Sequence, residues 1–444
     1  MLRILTADEA RATILRRRGL EDVQLPPAAV EHVRRVFGTA LSPAQVVERI
    51  VAAVRERGDA AVREFSLAFD GSAPDLVALT AEEVRAAYDQ VPPAVIEAMR
   101  LAVERVERYH RQQVRRSWLD YEAGLGQIVR PLERVGLYAP GGRAAYPSSL
   151  IMSAVPARVA GVEEILLCTP PQADGQPRPS MVVAADLAGI RHIFRIGGAQ
   201  AIAAMAFGTE SVPRVDKILG PGNIFVVLAK RAVYGQVGID QLAGPTETLI
   251  IADDTAAPAE VASDLLAQAE HDPLASAIAL VTDRAFAEHV QRAVQEQLRA
   301  LDRREIAAQS LEATGGVVLA GSLDEALELA NAYAPEHLCL LVRDPWALAG
   351  RVRHAGGVFL GAHSPEVMGD YIAGPSHVMP TGGTARFASP LTVDDFVKTI
   401  SVVALRAEDM QRYGPAAAEL ARAEGLTAHA AAVERRLRER LSTD

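Results

Sequence analysis

The sequence predicts an α/β protein: two similar parallel-sheet domains, incomplete Rossmann-like in pattern, with helical segments at both ends. Three observations predict it. Apolar, β-branched runs alternate with helical patterns across 134–246, joined by short Gly/Pro turns. The same alternation returns across 247–380. At 444 residues the chain also exceeds one ordinary hydrophobic core. The expected divisions are a mostly helical region at 1–125, α/β domains at 126–246 and 247–380, and a helical C-terminal segment at 381–444.

Taken in order, Ser42-Pro43 reads as a cap and a first-turn proline opening a helix to about 57. A second helix covers 80–88, Pro92-Pro93 breaks it, and a long charged helix follows to about 116. The first α/β unit is expected to place strands at 134–138, 164–169, 192–196 and 215–219. Its helices fall at 147–160 and 180–188, then from Gly198 and from Pro221. The second unit is expected to place strands at 248–252, 276–281, 316–320, 337–342 and 357–360, with helices at 284–300 and 323–332. Its opening helix starts near Pro258, after the turn formers Asp253, Asp254 and Thr255. It stops near His271, because Pro273 lacks an amide donor and disfavours helix before it. From Asp394 the chain is expected to be helical, a docking arm whose last residues, Ser442-Thr-Asp444, fray. No sequence repeat accompanies the doubled architecture.

Composition narrows the function class. Hydrophobic residues at 49% and charged residues at 23% describe an ordinary globular chain. A net charge of −10 argues against nucleic acid and anionic membranes as partners. The short basic runs Arg16-Arg17-Arg18 and Arg115-Arg116 read as solvated helix faces. Cys168 and Cys339 each lie in an apolar run, as free thiols do in a reducing compartment. Charges from Arg3 to Arg18 leave no apolar signal segment, and the uncharged stretch at 196–209 is too short to span a bilayer. A cytoplasmic protein is expected.

Several motifs carry chemistry. Pro140-Gly-Gly142, Gly197-Gly-Ala-Gln200 and Gly220-Pro-Gly-Asn223 stand at predicted strand ends, where open parallel sheets bind ligands. They read either as tight turns or as a ligand crevice, and no G-x-G-x-x-G fingerprint is present. Gln268 and His271, three apart, share a helix face and can offer an oxygen and a nitrogen to one metal. Taken alone, the pair reads first as a surface Gln and a capping His. Glu336 beside His337 suits acid/base work or a polar loop corner. The long Gly/Pro-rich loop at 361–381 offers His363, Asp370 and His377 as ligands or substrate contacts. Glu424 and His429 flank Thr427, a fair N-cap that would put His429 in a first turn, suited to a neutral metal ligand.

Together these segments resemble the histidinol dehydrogenase family. The resemblance runs in order through Val135-Gly-Leu-Tyr-Ala-Pro-Gly-Gly142, Gly197-Gly-Ala-Gln200, Gly220-Pro-Gly-Asn223 and Ala243-Gly-Pro-Thr-Glu247. The second of these runs on to Ala203, and the resemblance continues through Ser263-Asp-Leu-Leu-Ala-Gln-Ala-Glu-His271, Pro335-Glu-His-Leu338, Gly369-Asp-Tyr371, His377-Val-Met-Pro-Thr381 and Leu426-Thr-Ala-His429, covering roughly 134–435. It implies one zinc ion per subunit, held by Gln268, His271, Asp370 and the partner's His429 of a homodimer with a shared active site. It implies Glu336 and His337 as the acid/base pair and Tyr138, Gln200 and Asn223 as NAD+ contacts. Thr246, His377 and Glu424 match substrate contacts, joined by His337 and the four metal ligands. Position 246 is commonly Ser in the family and position 376 commonly Asn; here they are Thr and Ser.

The implied reaction is oxidation of L-histidinol to L-histidine through the aldehyde with two NAD+, closing histidine biosynthesis. Three rivals share parts of this reading. A dehydrogenase of the same family could take another small alcohol or diol. A zinc hydrolase would show no NAD+ dependence. A metal-binding interaction protein would leave the adjacent Glu336-His337 pair without a purpose.

Overall fold

The computed structural model describes residues 2–17, 27–71, 76, 78–141 and 146–441. Arg18, Gly142 and Ser442-Thr-Asp444 lie outside the described residues. The strands are β1 (Ile4–Thr6), β2 (Trp118–Asp120), β3 (Leu125–Pro131), β4 (Arg134–Tyr138), β5 (Glu164–Cys168), β6 (His192–Phe194), β7 (Lys217–Leu219), β8 (Gly238–Ile239), β9 (Glu247–Ala252), β10 (Ser276–Val281), β11 (Gly316–Leu319), β12 (His337–Leu341), β13 (Gly357–Leu360) and β14 (Val397–Val403). Two compact units result: Met1–Val114 with Leu132–Phe396, and Arg115–Pro131 with Val397–Asp444.

The larger unit holds two parallel sheets, ordered β6-β5-β4-β7-β8 and β1-β11-β10-β9-β12-β13. Each opens with a central strand, sends its next two strands to one side and its last two to the other. The expected doubling is therefore real. β1 is an addition, pairing with β11 from Ile4↔Val317 to Thr6↔Leu319.

Burial on both faces explains the near-continuous apolar strands, such as Ile165-Leu-Leu-Cys168 in β5. Helices Pro43–Arg57, Asp59–Asp70, Gly198–Phe207 and Ile224–Val233 cover one face of the first sheet. Helices Ala81–Tyr88, Pro93–His110, Pro147–Ala160 and Pro179–Ala188 cover the other. The N-terminal helices thus complete this core. The Ser42 capping box forms as expected, its hydroxyl accepting from the Gln45 amide. The second sheet lies between Pro258–Ala269, Arg284–Leu298 and Arg304–Ala313 on one face and Ala7–Ala12 with Leu323–Tyr333 on the other.

Several expectations need correction. Residues 397–403 are not helical: β14 pairs antiparallel with β3, from Val397↔Pro131 to Val403↔Leu125, and β3 with β2. The Val/Thr/Ile content of 397–403 carries that β preference. Arg17 is not on a solvated helix face; it pairs with the buried Glu247, and Arg115-Arg116 are exposed but lie past the end of the long helix, which stops at His110.

The smaller unit adds helices Ala407–Ala423 and Thr427–Leu441 to that three-stranded sheet. Gly414 lets them approach: an added Cβ would lie 3.2 Å from Val433 Cγ1. The second helix begins at Thr427 itself, so Thr427 is its first residue rather than its cap. Among the described residues, no helix is long and apolar enough to cross a membrane.

Candidate active site

The chemistry gathers at the amino edge of the second sheet. β9 begins at Glu247, and β12 begins at His337, paired in register with Thr248. Helix Pro258–Ala269 connects two parallel strands, so it must run back toward the edge where they start. Its end carries Gln268 there. The helix stops at Ala269, with Glu270 as cap, and the His271 amide donates to the Gln268 carbonyl at 3.3 Å. Short helix Glu366–Tyr371 adds Glu366 and Asp370.

His337 is the hub. Its Nδ1 lies 3.0 Å from the Glu247 carbonyl, which can only accept, so Nδ1 carries the proton and donates. Nε2 is then the nitrogen free to take a proton. It sits 3.7 Å from Asp370 Oδ1, too far for a hydrogen bond, with no partner among the described residues. Burial opposes charge on this imidazole, but Glu366, Glu336 and Asp370 outweigh it and raise its pKa well above the ordinary value.

The Glu336 Oε2 accepts from Thr246 Oγ1 at 2.6 Å and from the Glu247 amide at 3.0 Å. Burial pushes its pKa up to about 7. Thr246 therefore spends its hydroxyl on orienting Glu336. The Glu366 carboxylate accepts from Thr248 Oγ1 and lies 3.9 Å from His337 Nδ1; burial raises it to about 7 as well.

Burial opposes ionisation of Asp370, yet His337, His377 and His271 hold its pKa below the usual range. Burial pulls His271 and His377 down, so both favour the neutral form. The Asp370 carbonyl is 2.7 Å from His377 Nδ1, whose ring reaches Ser149 Oγ with Nε2 at 2.9 Å. Ser149 lies on helix Pro147–Ala160, so elements of both sheets line this cleft.

Gln268 is fully buried, and neither amide atom has a hydrogen-bond partner among the described residues. An unmatched buried amide costs about 1–3 kcal/mol. That orphan, the neutral imidazole of His271 and the ionised Asp370 fit a borderline divalent cation such as zinc. Among the described residues no three His, Cys, Asp or Glu side chains form a metal-holding group. The amide of Gln268 falls outside that set. Glu424 and His429 belong to the smaller unit, where both are exposed. His363 is exposed too, unlike Asp370 and His377.

Tyr138 ends β4, and Gln200 and Asn223 follow the carboxyl ends of β6 and β7 in the first sheet. β4 and β7 flank the point where strand order reverses, the usual site of a ligand crevice. The Tyr138 hydroxyl accepts from the Gly198 amide at 3.1 Å, and buried Gln200 holds its Nε2 3.4 Å from Asp70. Asn223 caps helix Ile224–Val233, accepting from the Phe225 and Val226 amides. The helix therefore opens after Asn223 rather than at Pro221. Gly220 has φ 118°, and a Cβ there would collide with the Tyr138 carbonyl. Glycine is required here because the Tyr138 carbonyl occupies the space a side chain would take.

Sequence reasoning missed Glu366, Glu247 and Arg17. Glu366 was visible as a carboxylate four residues before Asp370, one helical turn away. Arg17 carried no local signal, since its partner is 230 residues distant.

Comparison with known proteins gives a concordant result. The family model described as histidinol dehydrogenase matches residues 38–437. The histidinol dehydrogenase of Deinococcus radiodurans is 54% identical over 441 residues, 98% of this chain and 100% of that one. That of Moorella thermoacetica is 54% identical over 397 residues, 88% of this chain and 93% of that one. The crystal structure of histidinol dehydrogenase from Elizabethkingia anophelis superposes with a TM-score of 0.89 at 34% identity, covering 99% of this chain and 98% of that one.

Proposed function

This chain belongs to the histidinol dehydrogenase family of oxidoreductases, and from that premise we propose that it oxidises L-histidinol to L-histidine through the aldehyde, using two NAD+ and one zinc ion per subunit. The observation that carries the reading is the Glu336-His337 pair. One group keeps a free nitrogen in the cleft, and the other is a carboxyl tuned to about 7.

Each residue then has a task. In its neutral form, with the tautomer set by the Glu247 carbonyl, His337 accepts the proton of the substrate hydroxyl at Nε2, and the carboxylates that raise its pKa stabilise the imidazolium so formed. The aldehyde must be hydrated before a second oxidation, and Glu336 takes the proton of the attacking water. A carboxyl with a pKa near neutrality can accept and release that proton within one turnover. His377 and Thr246 border the same cleft, His377 fixed by Ser149 and Thr246 by Glu336. Zinc, when bound by Gln268, His271 and Asp370, supplies an anchor for the substrate's imidazole and amine, and NAD+, when bound near Tyr138, Gln200 and Asn223, supplies the hydride acceptor.

The fourth metal ligand, His429, and the substrate contact Glu424 are assigned to a second copy of the chain. Supporting this, both are exposed on the smaller unit, which also exposes Ile400, Val403, Leu420 and Leu426. Apolar surface of this extent on a small unit is what a homodimer arm requires.

The test is stoichiometric. Purified protein receives L-histidinol and excess NAD+, and NADH is counted per substrate consumed. Two per substrate is expected; one indicates a simple alcohol dehydrogenase, and none removes the reading.

A further inference from the structure

A single backbone position orients both members of the acid/base pair. The Glu247 amide donates to Glu336 Oε2 at 3.0 Å, and the Glu247 carbonyl accepts from His337 Nδ1 at 3.0 Å. Whatever fixes residue 247 therefore fixes the aim of both groups.

Its side chain is clamped. The Glu247 carboxyl is buried, and its Oε1 accepts from the Gly382 amide at 2.9 Å and from the Arg17 guanidinium. The same guanidinium reaches the turn that delivers Glu336 and His337. Its Nε donates to the Tyr333 carbonyl at 3.0 Å and Nη2 to the Ala334 carbonyl at 3.0 Å, while it lies 3.6 Å above the Tyr333 ring. Ala334 is the only non-glycine residue with positive φ among the described residues, at 53°. A left-handed alanine is costly and persists only when neighbours over-determine it. Arg17 binds that residue's own carbonyl.

We propose that Arg17 is a positioning residue for the acid/base pair, a fork that ties the start of β9 to the strained turn before β12. The proposal rests on reading Glu336 and His337 as that pair. A guanidinium suits the task because its planar donors can serve a carboxylate and two carbonyls at once; a lysine ammonium is a point charge on a flexible stem.

The experiment compares Arg17→Ala, Arg17→Lys and Glu247→Gln with the native enzyme, with His337→Ala as reference. It reads kcat, both KM values, the thermal midpoint and the response to added guanidinium. Arg17→Ala is expected to lose kcat by ~10²-fold, the scale of an ångström's misplacement of catalytic groups. KM for L-histidinol and NAD+ should stay within about threefold, since among the described residues the proposed metal ligands, His377 and the coenzyme-binding turns make no hydrogen bond with Arg17. Free guanidinium should restore roughly tenfold of the lost rate by refilling the fork. Arg17→Lys and Glu247→Gln should fall between native and Arg17→Ala. Should Arg17→Ala not fold, the lysine variant decides: a normal midpoint with lowered kcat supports positioning, and an unchanged kcat overturns it. The idea is also overturned if Arg17→Ala keeps its kcat while His337→Ala is inactive. A loss that guanidinium does not reverse, with both KM values raised, assigns Arg17 a purely structural role. A near-native His337→Ala would remove the premise instead, and that result is separate from any Arg17 outcome.

Discussion

Replacing Lys230 by Met tests how the Gly220 turn, the proposed coenzyme-binding turn, is held. Lys230 is among the most buried side chains of the described residues, at 1% exposure. Its ammonium pairs with Asp240, whose side chain is 4% exposed, and donates to the Gly220 carbonyl at 3.0 Å. Asp240 Oδ2 accepts from the Gly220 amide at 2.8 Å. The ion pair thus clamps both polar groups of the glycine that must approach Tyr138. Methionine keeps the volume but strands a buried carboxylate beside one backbone donor. Removing one partner of a buried pair costs about 3–5 kcal/mol, because the other charge is left uncompensated. A surface pair would cost under ~1 kcal/mol, so the two cases separate cleanly. Urea unfolding of Lys230→Met, Asp240→Asn and the double variant, at one protein concentration, gives the cycle. The double variant should cost less than the sum of the singles by roughly 2 kcal/mol or more. NAD+ affinity, read by titration without substrate, should weaken about tenfold in Lys230→Met through misplacement of Gly220. A stability loss below ~1 kcal/mol with unchanged NAD+ affinity would refute the clamp.

Three further outcomes are expected. His337→Ala should cut turnover by ~10²-fold or more, while metal analysis finds zinc content intact, because His337 is not among the proposed ligands. Mixing inactive His429→Ala and inactive Gln268→Ala chains should regain activity in heterodimers, each of which carries one complete site; confirmed heterodimers without activity would exclude a shared site. Burial, reinforced by Glu260, raises the Asp264 pKa from 3.8 to about 6, so its folded form prefers the proton. The stability this confers is full below the unfolded value of 3.8 and is lost as pH rises through about 6. Asp264→Asn should therefore gain on the native chain between those pH values and hold its advantage above them, as thermal midpoints across pH would show.

The parallel sheets were legible because their strands carry their own signal. β10 falls at 276–281 as its apolar run dictates, since burial on both faces leaves no polar alternation to misread, and the edge strand β13 falls at 357–360 on its own short apolar run. Strands that depend on distant partners were not legible. β1 has three residues and exists because β11 offers it an edge. β14 was hidden by neighbours with strong helix propensity, and its β-branched run lost to that context. The site divides the same way. Gln268, His271, Glu336 and Asp370 lie in compact motifs whose residue types announce chemistry. Arg17, Glu247 and Glu366 act through geometry that only the fold creates: a clamp over 230 residues, a backbone pair and a second buried carboxyl behind His337.

The two sheets share a strand order yet present opposite edges, and the reason is local. In the first, the carboxyl edge ends in the glycine turns Gly197-Gly198 and Gly220-Pro-Gly222, whose missing side chains make room for Pro170, Gln200, the Tyr138 carbonyl and Val226; the coenzyme is proposed to sit over this edge. In the second, that edge is closed by its own turns. The Asp253 carboxylate accepts from Thr255 and from the Arg343 amide, and though burial opposes its charge these bonds hold its pKa below the usual value. The amino edge of β9 and β12 instead collects Glu247, Glu336, His337 and Glu366, all buried. Buried ionisable groups are costly unless something uses them. An architecture that occurs twice in one chain need not carry its site twice: on the proposed reading, the glycine content of one edge and the carboxylate content of the other separate coenzyme from proton transfer.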